Sequence, residues 1–439
     1  MYEDLEFLKC YYRPSFFRMK IDLPIDLSNL NEIQDGAFAL YLHEYIHFVQ
    51  DISTIYGLMN ISTINYYIQY SANKIHNSKS KKFSVPIELK GKNNDFGLFN
   101  FELRPIYMGT SINVKNKKIE NLSYTIENKE IKSNITDNIE IIEISFTDSK
   151  TKKDRTIHFG GNHITEGMAY LSEQYVFNET LSRQGHNLIA DEYPYSIVTK
   201  ITELIFPEIS DDKLLLISLC DASLMTYHPG LSFIRLLKHL KKEKVVENSK
   251  DFNDIYKASL EYLKGNHIDY EVLLETVRGE IKKSFNFKEI EGNNIWIDNV
   301  FDKIKKMRTE LPEFVIDILK FGEPKNNQFF LLFHKLVGSP LVINGDSDGT
   351  ISLPDGFKPE NFQPGLFWAV NQLLRIFSNN KPIPCELKEY CKKSSLTDNN
   401  LIIDEKCDNT PWEKATEENL CPVGLMWKHW ALTGFVPES

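Results

Sequence analysis

The segment that most constrains this chain runs from Phe38 to Val49 and is apolar on nearly every side. A helix of that composition belongs in a protein core, because no face of it suits water. Its strongly polar side chains are His43, Glu44 and His47. Residues four apart share one helix face, so both imidazoles can reach one ion from the same side. This is the spacing of the His-Glu-x-x-His zinc signature, which joins two ligands to a neighbouring general base.

A simpler interpretation is that the three polar side chains satisfy one another in a crowded core. Burying two imidazoles and a carboxylate without partners would cost several kcal/mol, and a divalent cation is a partner for all three. We therefore predict that His43 and His47 bind Zn²⁺ and that Glu44 is the catalytic base.

A catalytic zinc site needs a third protein ligand and a position left for water. Metzincins continue the motif with a glycine and a third histidine, but Gln50 and Ser53 occupy those positions here. The inverted order, His-x-x-Glu-His, is also absent from the sequence. The third ligand must come from another part of the chain, and the best candidate is Glu166.

Glu166 lies in the segment 162–174, which the hydrophobic periodicity predicts to be helical. One stripe of this helix is apolar and consists of Ile164, Met168, Leu171 and Tyr175. The opposite face carries Glu166, Ala169, Tyr170 and Glu173. We expect the small residues Gly167 and Ala169 to let this helix approach the histidine helix. Glu173 is expected to hold a ligand histidine through a hydrogen bond.

With these residues the chain resembles the gluzincins, zinc peptidases that carry His-Glu-x-x-His on one helix and a glutamate ligand on a second. The resemblance rests on His43, Glu44, His47 and the stretch Glu166-Gly167-x-Ala169, so it covers two short segments. It implies an α+β fold with a zincin-like catalytic domain, a Zn²⁺ cofactor and hydrolysis of peptide bonds in an intracellular protein. The chain departs from many gluzincins in the early position of the motif and in the long separation before Glu166.

Composition along the chain predicts three units. Residues 1–240 form the zincin-like catalytic domain, with a β-rich insertion at about 79–161 in which short β-type runs alternate with polar turns. We expect this insertion to complete the sheet beside the metal helix. Residues 241–355 form a helical accessory region, and residues 356–439 a C-terminal segment rich in cysteine and tryptophan.

The C-terminal segment holds most of the cysteines, namely Cys385, Cys391, Cys407 and Cys421. Their spacing does not match the paired Cys-x-x-Cys knuckles of common structural zinc sites. Buried free thiols are the preferred interpretation, and a second, structural zinc ion is the alternative. Trp427, Trp430 and Phe435 are expected to dock this segment onto the rest of the protein.

Peptide hydrolysis also needs a donor for the tetrahedral oxyanion besides the metal. His228, in an irregular turn beyond Glu166, is one candidate for this catalytic role. Tyr193 and Tyr195 are others. His163 is expected to lie near the helix cap or to support the site indirectly.

Net charge is −10 and the pI is about 5.7, which argues against nucleic acid and anionic membranes as partners. The acidic N-terminus predicts no secretory leader, and no apolar stretch is long enough to span a membrane. With six cysteines, this favours a reducing cytoplasm. The expected partner is a protein or peptide substrate, with a regulatory protein as a further possibility. The alternative to a peptidase is a catalytically inactive zincin-like scaffold that acts through partner contacts.

Overall fold

The computed structural model describes residues 10–88, 96–110, 118–130, 138–183, 192–249, 251–264, 269–320, 325–358, 360–379, 383–394 and 401–438. It is a mainly helical protein with small sheets, so the α+β class predicted from the sequence is confirmed. Among these residues, no helix is both long and apolar enough to cross a lipid bilayer.

The strands are short except for one hairpin. In chain order they are β1 (Tyr11–Arg13), β2 (Arg18–Ile21), β3 (Lys82–Ser84), β4 (Ile119–Glu130), β5 (Asn138–Asp148), β6 (Asp154–His158), β7 (Leu341–Asn344), β8 (Gly349–Thr350) and β9 (Val436–Glu438).

The helices of the first half of the chain are α1 (Asp35–Ser53), α2 (Ile55–His76), α3 (Phe96–Met108), α4 (Gly161–Arg183), α5 (Glu192–Tyr195), α6 (Ile197–Ile205), α7 (Lys213–Leu224) and α8 (Pro229–Lys242). Those of the second half are α9 (Val245–Asn248), α10 (Phe252–Leu263), α11 (Tyr270–Ser284), α12 (Glu291–Glu310), α13 (Phe314–Lys320), α14 (Gln328–Val337), α15 (Gly365–Ser378), α16 (Lys388–Ser394), α17 (Lys406–Asn409) and α18 (Pro422–His429).

Helix α1 is a core helix, as its composition predicted. Phe38, Tyr45 and Phe48 are fully buried. The ring of Phe48 stacks on Trp296 of α12 with centroids 6.3 Å apart, and Tyr45 packs 5.2 Å from the His334 ring of α14. Because helices from distant parts of the sequence cover it, α1 can hold polar side chains away from bulk water.

The sheet beside α1 combines strands from the two ends of the chain. Its order is β1-β2-β7-β8, with β1 antiparallel and β7 parallel to β2. Met19 lies opposite Tyr12 on one side and opposite Val342 on the other, and all three are buried. Strand β1 is therefore an edge strand, and Tyr12 ties it to α1 through a 3.0 Å hydrogen bond from its hydroxyl to Asp51.

The prediction that the β-rich insertion completes this sheet is wrong. Strands β4, β5 and β6 form a separate antiparallel sheet, in which Ile144 pairs with both Tyr124 and Ile157, and α3 is helical within the same segment. Antiparallel neighbours joined by short connections pair at little entropic cost, so these strands pair with one another. The insertion also includes 89–95, 111–117 and 131–137, which lie outside the described residues.

The C-terminal segment docks through its aromatic residues, which confirms the sequence prediction. Trp427 is fully buried and its ring stacks on that of Phe83 at 6.4 Å, while Trp430 packs against Phe285 at 5.6 Å. The Phe435 ring lies 5.9 Å from that of His76. The division into three units stays a prediction, since β2 pairs with β7 and β3 pairs with β9 across its boundaries.

Candidate metal centre

Helices α1 and α4 bring the three residues proposed as ligands to one point. One donor atom from each of His43, His47 and Glu166 lies within 4.8 Å of the other two. The Oε2 atom of Glu166 is 3.6 Å from Nε2 of His43 and 3.5 Å from Nε2 of His47. Among the described residues, this is the group of histidine, cysteine or acidic side chains that meets that spacing.

The spacing can be compared with what zinc requires. Ligand atoms about 2.0–2.1 Å from a zinc ion at tetrahedral angles lie about 3.4 Å apart. The two distances from Glu166 to the histidines therefore fit a tetrahedral site with little adjustment. The donor set of two imidazoles and one carboxylate is also one that catalytic zinc uses, and it leaves a fourth position for water.

The Nδ1 atom of each imidazole, which points away from Glu166, has its own hydrogen-bond partner. Nδ1 of His43 is 3.2 Å from Oε2 of Glu173, which is the hydrogen bond predicted for that glutamate. Nδ1 of His47 is 2.8 Å from Oε1 of Gln50, whose Nε2 donates to the Thr165 carbonyl at 3.1 Å. With both acceptors in place, each Nδ1 carries a hydrogen and each Nε2 is directed toward Glu166, where a metal ion could bind it.

Gln50 contacts the candidate site, and the sequence did not predict this contact. In the sequence, Gln50 appeared only as a departure from the metzincin motif. The spacing of three residues between His47 and Gln50 could have predicted this contact, because it places both side chains on the same helix face. Through the Thr165 carbonyl it also connects α1 to the turn of α4 that carries Glu166.

The charges of the three candidate ligands support one another. Burial lowers the pKa of His43, but hydrogen bonds to Glu166 and Glu173 outweigh it and hold the pKa well above its ordinary value. The pKa of His47 is also raised, because Glu166 offsets the effect of burial. Burial alone would raise the pKa of Glu166, but His47 and His43 lower it by more than burial raises it. The carboxylate therefore stays ionised. A cation at this site would replace the protons on the imidazoles.

Glu44 lies beside the ligands with its side chain buried. Burial raises the pKa of its carboxyl group, and the neighbouring His43 and His47 lower it in part, with a net shift upward. The main-chain amide of Tyr12 on the edge strand β1 faces this carboxylate. A carboxylate with a raised pKa can accept a proton near neutral pH and pass it on.

Helix α4 packs as its periodicity predicted, with two exceptions. Ile164, Met168 and Leu171 are buried, but Tyr175 is 38% exposed. Gly167 faces α6 and not α1, because a Cβ atom there would lie 2.6 Å from Cγ2 of Val198. The expectation that Gly167 lets α4 approach the histidine helix is therefore wrong, since it serves the contact with α6.

Tyr195, not His228, lies beside the candidate ligands. Its ring is 5.8 Å from that of His43, whereas Nε2 of His228 is 2.9 Å from the Glu140 carbonyl oxygen. The imidazole of His228 packs on the Tyr107 ring at 5.4 Å, and burial lowers its pKa. The structure therefore places Tyr195 in contact with a candidate ligand, whereas Nε2 of His228 is hydrogen-bonded to a main-chain carbonyl of β5.

His163 and Tyr193 form a structural chain of hydrogen bonds. The Gly160 amide donates to Nδ1 of His163 at 3.3 Å, so Nε2 carries the hydrogen and lies 3.2 Å from the Tyr193 hydroxyl oxygen. The Tyr193 hydroxyl donates to the Thr110 carbonyl at 2.7 Å. Burial lowers the pKa of His163 to about 4, so its imidazole is neutral. The Tyr193 hydroxyl therefore donates its hydrogen to Thr110 and not to the candidate metal centre. His163 supports the start of α4.

Comparison with models of known protein families, with curated proteins and with solved structures found no match for this chain.

Proposed function

We propose that the chain is a zinc-dependent peptidase with a zincin-like catalytic domain that hydrolyses peptide bonds in a protein substrate. The observation that carries the proposal is the convergence of His43, His47 and Glu166 on one point, with Glu44 next to them. The three donor atoms are spaced as zinc ligands, and both histidines are oriented by partners on their far nitrogens.

His43, His47 and Glu166 would hold the ion, which when bound supplies a Lewis acid and lowers the pKa of a water molecule to about 7. Glu44 would take the proton of that water on its carboxylate and later deliver it to the leaving amine. Its raised pKa suits both steps, since the group must be ionised to accept the proton and must release it afterwards. Tyr195 would donate a hydrogen bond to the developing oxyanion from beside His43.

An extended peptide substrate would bind along the edge strand β1. Among the described residues no further strand pairs with β1 on its outer side, and its residue Tyr12 directs a main-chain amide toward Glu44. Strand addition would supply main-chain hydrogen bonds and align the scissile bond with the catalytic carboxylate.

The direct test is the Glu44→Gln variant, assayed with fluorescein-labelled, unfolded casein as a general peptidase probe. We expect cleavage to fall by about 10²–10⁴-fold, because the amide cannot accept the proton. The zinc content should stay at the wild-type level, since Glu44 is not a ligand in the proposal. His43→Ala is the matched control and should lose both the metal and the activity.

Undiminished cleavage by the Glu44→Gln variant, with a normal zinc content, would refute the proposed mechanism. Absence of cleavage by the wild-type protein on several unfolded proteins, with zinc bound, would favour an inactive zincin-like scaffold.

A further inference from the structure

The C-terminal segment contains a second group of side chains of a type that can bind metals. None of them has a role in the proposed peptidase mechanism. The four side chains of this group line one small cavity and are Cys385, Cys391, Cys407 and Cys421. All of them are free thiols. The last three are buried and Cys385 is half-buried, so the group is shielded from solvent. The cluster is referred to below as the cysteine cluster.

A main-chain hydrogen bond joins two sequence-distant parts of the cysteine cluster. The amide of Cys385 donates to the Cys407 carbonyl at 2.7 Å, which joins the segment before α16 to α17. Residues that are distant in the sequence are thus held at one place by backbone contacts as well as by side-chain packing.

Main-chain amides also point at the sulfur atoms. Sγ of Cys421 accepts the N–H of Gly424 at 3.4 Å, at the first turn of α18. The Leu387 amide faces the sulfur of Cys385 in the same manner. These contacts fix the positions of the two sulfur atoms, while burial raises the pKa of the Cys385 and Cys421 thiols, so that a metal ion would have to displace their protons.

The surrounding fold gives a physical reason for a bound ion. Helices α16, α17 and α18 have only 7, 4 and 8 residues, so the segment has little regular structure to hold it together. Small units of this kind are commonly stabilised by a structural metal with four protein ligands. The side chain of Lys414 lines the same cavity, and its ammonium group is paired with Asp404 at 2.8 Å and with Glu417 at 2.9 Å.

We propose that Cys385, Cys391, Cys407 and Cys421 bind a structural zinc ion that holds the C-terminal segment in place. On binding, each thiol loses its proton to solvent and forms one sulfur–zinc bond, with no change in oxidation state. Among the described residues, only His43, His47 and Glu166 already have donor atoms within 4.8 Å of one another. The sulfur atoms of the cysteine cluster must therefore move closer together to bind one ion.

The first experiment uses the wild-type full-length protein, purified under reducing conditions and analysed for zinc by mass spectrometry. We expect about two zinc ions per chain, one at each site. Replacement of zinc by Co²⁺ should produce a thiolate-to-metal charge-transfer band in the near ultraviolet, which a site of two histidines and a glutamate cannot give. The native protein should also react slowly with a thiol reagent until a chelator is added.

Variants then assign each ion to its site. Cys391→Ser and Cys421→Ser should each lose one zinc ion and the charge-transfer band, while Cys10→Ser, a matched thiol outside the cluster, should keep both. The double variant His43→Ala/His47→Ala should lose one zinc ion and keep the band. If the cysteine variants fail to fold, the cobalt spectrum and thiol reactivity of the wild-type protein still decide the question.

The outcomes separate this proposal from the proposed function. Retention of one zinc ion in the histidine variant, together with the cobalt band, supports the cysteine site whether or not the protein is a peptidase. The proposal is overturned if the wild-type protein holds a single zinc ion, only the histidine variant loses it, and the cobalt-substituted protein shows no thiolate band. Disulfides within the cluster of the freshly purified protein, detected by mass spectrometry after alkylation, overturn it as well.

Discussion

Replacement of Glu173 tests how the metal centre is supported from outside its ligands. Oε2 of Glu173 lies 3.2 Å from Nδ1 of His43, and both side chains are buried. The hydrogen bond fixes the imidazole with Nε2 toward the ligand cluster, and the negative charge makes that nitrogen a stronger donor. Removing such a partner typically weakens metal binding 10–100-fold, which is about 1.4–2.7 kcal/mol.

We therefore expect Glu173→Ala to bind zinc about 10–100-fold more weakly than the wild-type protein, measured by competition with a chromogenic chelator at fixed pH. Glu173→Gln should lose less, because its amide oxygen can still accept from Nδ1 of His43. Glu203→Gln removes an exposed carboxylate from the neighbouring helix α6 and should leave the affinity unchanged. Equal zinc affinity in Glu173→Ala and the wild-type protein would refute the assigned role of this hydrogen bond.

Three further predictions follow from other contacts. Zinc affinity should fall as the pH is lowered from about 8 to 6, because the pKa values of His43 and His47 are raised and protons therefore compete with the metal. An affinity that does not depend on pH in the chelator assay would contradict this prediction. Arg308→Ala should lower the free energy of unfolding by about 3–5 kcal/mol in urea titrations, since it leaves buried Asp221 without the guanidinium that contacts both its oxygens at 2.7 and 2.9 Å. A loss below about 1 kcal/mol would show that this buried pair is not a net stabiliser. Gly167→Ala should cost about 1–3 kcal/mol by crowding Val198, and an unchanged melting temperature would contradict the packing of α4 on α6.

Local periodicity was sufficient to identify the helices that carry the site. His43 and His47 are four residues apart on an apolar helix, and Glu166 and Glu173 share one face of a second helix. These relations depend only on helix geometry, so they can be read without knowledge of the fold. The hydrogen bond between Glu173 and His43 confirms that the faces of the two helices were assigned correctly.

Contacts that join distant parts of the chain were not predictable in the same way. Strand β2 pairs with β7, yet nothing in the local sequence of either strand specifies the other as its partner. The β-rich insertion was therefore assigned to the wrong sheet. The surroundings of His228 and Tyr195 were not predictable for a related reason, since only the tertiary structure brings the His228 imidazole to the Glu140 carbonyl and Tyr195 to His43.

The most direct test of the metal centre is a crystal structure of the purified protein with anomalous diffraction data collected at the zinc absorption edge. We expect a strong anomalous peak from an ion within bonding distance of Nε2 of His43, Nε2 of His47 and a carboxylate oxygen of Glu166, with Glu44 beside it. No anomalous peak at this position in zinc-supplemented protein, or an ion there that Glu166 does not bind, would contradict the proposed metal centre.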